Sequence, residues 1–137
     1  MSQTRPEDVM RTYLTEVLNK RRFELIPEFA APDMIDHTQP TLRGPEALDA
    51  HARGFCDNIP DLEIEVVRIF GNDTTAVGLW RWHGTPKQPN GYSASGKPVS
   101  PRFIGSIFDF EDGKLVEYRA LVDAVDVISQ IRDQAAA

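Results

Sequence analysis

RFIGSIFDFEDGKLVEYRALVD, residues 102–123, decides how the second half of this chain folds. Two apolar-rich runs flank Asp112-Gly113, a pair that suits a two-residue hairpin turn because both central positions need positive φ. The spacing predicts antiparallel strands over about 102–111 and 114–123. With that turn, Glu111 opposes Lys114, Arg119 faces Ser106, Leu121 faces Ile104 and Asp123 faces Arg102. Such partners share a face and lie about 5 Å apart. One register then carries Glu117, Arg119, Leu121 and Asp123, and the other Val116, Tyr118, Ala120 and Val122. At roughly 3.3 Å per residue, Arg119 and Asp123 stand about 13 Å apart. They are two separate polar points on one wall, not a tight ion pair. By periodicity alone the charged register is the wet face of an antiparallel sheet. Arg102 opposite Asp123 would also hold that carboxyl low, as in a structural ion pair.

Upstream of the hairpin the same period of two continues. Leu62, Ile64 and Val66 alternate with Glu63 and Glu65, and Gly71-Asn72-Asp73 turns into a strand over 75–85. Residues 86–101 hold four prolines and two glycines and read as a long loop. The first half has helical spacing instead. Val9, Met10, Tyr13, Leu14, Val17 and Leu18 predict an amphipathic helix over 5–20, opened by Thr4-x-x-Glu7 as a capping box with Pro6 in the first turn. A short helix is expected over 23–29 and a brief extended piece over 34–38. A third helix starts near Pro45 and buries Leu48, Ala52 and Phe55, with His51 on the same side. The tail DVISQIR reads as a closing helix. Helices first and a meander afterwards define an α+β fold: a curved antiparallel sheet packed on N-terminal helices, with an apolar pocket between the layers.

Bulk properties narrow the function classes. The 137 residues fit a single domain spanning 1–137, with 41% hydrophobic and 26% charged residues. The net charge is −6 and no basic run stands out, which argues against nucleic-acid binding. One cysteine, Cys56, excludes an intrachain disulfide and a cysteine-cluster metal site. The three histidines lack metal-ligand spacing, so no metal is expected. The polar start MSQTRPEDV and the lack of any long apolar run predict a cytoplasmic protein with no membrane partner.

Several segments in order resemble the SnoaL-like polyketide cyclase family, a branch of the nuclear-transport-factor-2-like superfamily of cone-shaped α+β folds. They are YLTEVLN, DHTQPTLRGPEAL, IPDLEIEV, VGLWRWHGT, SGKPV, FEDGKLVEY and VDAVDVISQ. The resemblance implies a deep apolar pocket and ring closure by intramolecular aldol condensation without a cofactor. A single aspartate near the end of the last strand serves there as general acid/base, and Asp123 matches it. The resemblance also implies that the register of Arg119 and Asp123 faces the cavity, and the fold suggests a homodimer through the outer face of the sheet. Two departures stand out. The family usually has tryptophan four residues before the aspartate, where this chain has Arg119. It commonly has Gly-Thr-His where this chain has Gly84-Thr85-Pro86. A guanidinium in place of a flat apolar wall suggests a substrate carboxylate, or an oxyanion to be stabilised.

The expected catalytic set is therefore Asp123, Arg119 and His37, with Tyr13, Trp80, Trp82 and Arg102 binding a small hydrophobic carbonyl substrate. Other readings apply to several of these. His37 and Asp36 could serve only local turn bonding. His51 reads as a satisfied core histidine, and Tyr13 is either a core residue or a donor reaching the pocket. Trp80 and Trp82 share one face and Arg81 and His83 the other; one pair lines the cavity or an interface. Cyclisation or isomerisation leads. Hydrolysis of the epoxide-hydrolase type, through Asp123 with Arg102 or Arg119 and Asp109 or Asp36, is the alternative within enzymes. Alternation places Asp109 opposite to Asp123, which weakens one version. A non-catalytic binding or dimerisation module is the alternative outside them.

Overall fold

The computed structural model describes residues 5–87, 100, 103–122, 125–126 and 129–130. The first helix, α1 (Pro6–Thr12), runs directly into a π-helical segment, Tyr13–Asn19. Its predicted apolar stripe is buried throughout, from Val9 to Leu18. Thr4 of the expected capping box lies outside the described residues; Arg5 is the N-cap without a side-chain capping bond, and Glu7 pairs with the Arg5 guanidinium at 2.7 Å. A 3₁₀ turn, Phe23–Leu25, leads into α2 (Ile26–Phe29), and α3 (Pro45–Asn58) buries Ala47, Leu48, Ala52 and Cys56. No helix among the described residues is long and apolar enough to cross a membrane.

Five strands form one curved sheet. They are β1 (Ala30–Asp36), β2 (Glu63–Gly71), β3 (Thr75–His83), β4 (Ile104–Glu111) and β5 (Lys114–Val122), in the spatial order β1-β5-β4-β3-β2. The sheet is mixed rather than wholly antiparallel, because β1 lies parallel to β5. The short extended piece expected over 34–38 is thus a seven-residue strand. Its pairing partner lies some eighty residues along the chain, and local pattern carries no record of it. Against the inner face of β3, Gly78 admits α1: a Cβ there would sit 2.9 Å from Met10 Sδ. The absent side chain lets helix and strand approach.

The hairpin turn has the expected chemistry, with φ of 51° at Asp112 and 78° at Gly113. Its register changes two residues on. Phe110 pairs with Leu115, but Asp109 pairs with Glu117, so Val116 is an unpaired bulge. Beyond it Arg119 opposes Ile107, Ala120 opposes Ser106 and Val122 opposes Ile104. Every cross-strand pairing expected beyond the bulge is therefore displaced by one. The cause is visible in burial. Leu115 and Tyr118 are 0% and 2% exposed, yet an odd separation would put them on opposite faces of a regular strand. The extra residue brings both side chains into the core. Arg102 and Asp123, the pair expected at the far end, lie outside the described residues, as do most of the loop 86–101 and part of the closing helix.

Candidate active site

Between α3, the first helix and the inner face of β3, β4 and β5 lies a cavity of about 340 Å³, within the size range of small-molecule sites. The sheet side is Trp80, Trp82 and Ile104, and α3 supplies His51 and Phe55. Tyr13 and Tyr118 close the inner end, both at most 2% exposed. Alternation along β3 turns Trp80 and Trp82 inward and leaves Arg81 and His83 exposed. Phe55 then packs on both indoles, at centroid distances of 6.0 and 5.7 Å.

The polar groups on this wall are organised. Trp80 Nε1 donates to Ser106 Oγ at 3.0 Å, and Ser106 Oγ lies 3.1 Å from Tyr118 Oη. Burial pushes the Tyr118 and Tyr13 phenols up from their ordinary value, so at neutral pH both are hydrogen-bond donors and not bases. Among the described residues no lysine or arginine lines the cavity.

His51 is held by a carboxylate that sequence reading left in a turn. Asp36, at the end of β1, is 0% exposed. Its Oδ2 lies 2.9 Å from His51 Nδ1, and its Oδ1 accepts from the Thr38 backbone N–H at 2.8 Å and from Thr38 Oγ1 at 2.6 Å. Burial alone would raise the Asp36 carboxyl, but the bonds from His51 and Thr38 outweigh it and hold the group below its ordinary value. A carboxylate only accepts, so Nδ1 of the neutral ring carries the proton and Nε2 carries the lone pair. The ring also stands edge-on to Tyr118, at 5.3 Å and 81°.

The expected site residues divide between the two faces of the sheet. Tyr13, Trp80 and Trp82 meet at the cavity. Arg119 does not: it is the exposed neighbour of cavity-lining Tyr118 and Ala120, and strand alternation turns it to the outer face. There its guanidinium binds Glu117 at 2.6 Å and Asp109 at 3.2 Å. His37 joins the same outer group, with Nε2 2.6 Å from Glu117 Oε1. The His37 bond, with Arg119 beside it, holds the Glu117 carboxyl low. A cavity-facing Arg119 and a pocket-facing His37 are thus overturned, and with them the reason to expect a substrate carboxylate. The Arg119–Asp109 pair points away from the cavity, so it cannot serve an epoxide there. Asp109 shares a face with Glu117 and Arg119 because the Val116 bulge aligns them. The signal for the missed pair was present. His51 lies on the apolar side of α3, and a buried polar group needs a partner. The Asp36-x-Thr38 turn held one.

The sequence profile of the SnoaL-like polyketide cyclases matches residues 7–131. Solved structures agree in fold. A SnoaL-like polyketide cyclase from Agrobacterium tumefaciens superposes with a TM-score of 0.79 at 21% identity, over 93% of this chain and 98% of that one. Wild-type IdmH from Streptomyces antibioticus, provisionally described as a polyketide cyclase, gives 0.77 at 21% identity, over 98% and 100%. AclR from Streptomyces galilaeus, provisionally described as a hydroxylase, gives 0.73 at 17% identity, over 92% and 84%. No functionally curated protein matches the chain by sequence. With a profile match over nearly its whole length and a cavity enclosed between curved sheet and helices, this chain belongs to the SnoaL-like polyketide cyclase family.

Proposed function

We propose that the protein is a cofactor-independent cyclase or isomerase for a small, neutral, hydrophobic carbonyl compound. The observation that carries this is a mainly apolar cavity whose polar lining includes two un-ionised phenols and an oriented imidazole beside the amides of Gln39 and Asn58. A base removes a proton from the carbon beside a carbonyl, and the C–H electron pair becomes the enolate π bond. The negative charge gathers on the carbonyl oxygen, where Tyr13 or Tyr118 donates a hydrogen bond. The enolate carbon then attacks a second carbonyl and the new alkoxide is protonated, or a proton returns at another carbon. By family resemblance Asp123 is an acid/base in this sequence.

Proton–deuterium exchange at the α-carbons of 2-tetralone in D₂O, followed by NMR, tests the reading without the native substrate. Exchange faster than in buffer alone supports it, and equal rates remove it. Gly54 gives a control for the location. It lines the cavity, and a Cβ there meets nothing within 4 Å. Gly54→Leu should therefore fill the cavity while improving helix propensity by up to about 0.8 kcal/mol. The expected result is an unchanged or raised melting temperature with exchange slowed about tenfold or more.

A further inference from the structure

We infer that His51 is a second proton-transfer residue of this cavity, acting through Nε2, and that Asp36 is its positioning residue. The inference rests on the proposed proton chemistry and goes beyond it. A family-derived acid/base at Asp123 leaves His51 with no role, and a histidine buried only for packing has no need of cavity exposure.

Three observations carry it. First, among the described residues His51 carries the one imidazole that lines the cavity, and imidazole is the side chain most often used for general acid/base transfer. Second, the ring is fixed at Nδ1. Asp36 Oδ2 lies at 2.9 Å and Thr38 Oγ1 at 3.1 Å, while Thr38 in turn donates to Asp36 Oδ1. That arrangement sets both the tautomer and the ring plane, as in catalytic pairs where a carboxylate orients an imidazole. Third, the holding group is fully buried whereas the held ring is 21% exposed by side chain, so the dyad runs from the core to the cavity surface. The groups facing His51 from neighbouring elements are Asp36 on β1, Tyr118 on β5 and Tyr13 on the first helix. Asp36 is the one charged group among them.

In the step itself, the neutral imidazole takes the carbon-bound proton at Nε2 and becomes imidazolium, stabilised by the Asp36 carboxylate. The C–H pair passes into the enolate. The imidazolium then returns a proton to carbon or to the alkoxide formed on ring closure, and nothing is oxidised or reduced. Ring closure needs one proton taken and one given, and a histidine held in this way can do both.

The test compares wild type, His51→Gln, Asp36→Asn and Asp123→Asn in the 2-tetralone exchange across pH, with circular dichroism to confirm that each is folded. His51→Gln should slow exchange about 10²-fold and change the shape of its pH profile. Asp36→Asn should slow it as well, because an amide can donate to Nδ1 and so place the proton on Nε2. Nitrogen NMR of wild type should report the neutral His51 ring protonated at Nδ1. Wild-type rate and profile in His51→Gln, or a neutral ring protonated at Nε2, would overturn the inference while leaving the proposed function standing on Asp123. No exchange by wild type would remove both.

Discussion

Asp36→Ala should cost the fold roughly 3 kcal/mol, because three hydrogen bonds to one buried carboxylate are lost together. The change leaves the Thr38 N–H, the Thr38 hydroxyl and the His51 Nδ1–H without the carboxylate they donate to, and hydrogen bonds to a charged acceptor are the stronger kind. Equilibrium urea unfolding at about pH 7 would show it as a lower midpoint at unchanged slope. The penalty should also depend on pH in a definite direction. Asp36 ionises more readily folded than unfolded, so the unfolded chain binds more protons in acid and stability rises with pH. Its contribution is fully present above about pH 4, the ordinary carboxylate value, and is lost as the pH falls through the lower folded value. The gap between wild type and Asp36→Ala should therefore close in acid below that point. A gap independent of pH would mean that Asp36 acts through packing and not through its charge.

Phe108→Ala is expected to be at least as damaging, at about 3–5 kcal/mol. Phe108 is 0% exposed on the inner face of β4. Its ring stands 5.4 Å from Tyr13, 5.2 Å from Tyr118 and 6.3 Å from Phe110, so one residue ties the first helix to the two hairpin strands. Truncation removes the transfer free energy of the ring and leaves a void that neighbours on three elements cannot close together. For a domain whose whole margin is roughly 5–15 kcal/mol, thermal unfolding should move down by many degrees. Phe108→Leu, which keeps most of the volume, should lose far less. Equal losses in the two variants would show that the aromatic contacts, and not the filled volume, hold the layers together.

Much of the architecture was legible one segment at a time. The stripe from Val9 to Leu18, the alternation at Leu62 to Val66 and the Asp112-Gly113 turn each report a local conformational preference, and each appears where expected. The site was less legible. Tyr13, Trp80 and Trp82 were recognisable as inward candidates because helical spacing and strand alternation group them with apolar neighbours. Arg119 was misplaced because the family resemblance was set above strand alternation, which by itself puts the charged register on the wet face. The bulge at Val116 reflects competition between Leu115 and Tyr118 for one core, which period-two counting does not register. His37 looked more useful than Asp36, being the more versatile side chain. Packing reversed that, sending His37 outward to Glu117 and Asp36 inward to His51.

By itself, then, the chain's order of residues determined the helices, the strands, the hairpin turn and the family, since these rest on preferences acting over a few positions and on motif spacing. Tertiary structure alone decided the parallel seat of β1 beside β5, the bulge that sets Asp109 beside Glu117 and Arg119, and the union of Asp36 with His51. Each joins residues that share no local signal, and each was settled by which side chains the closed core could bury with every polar group paired.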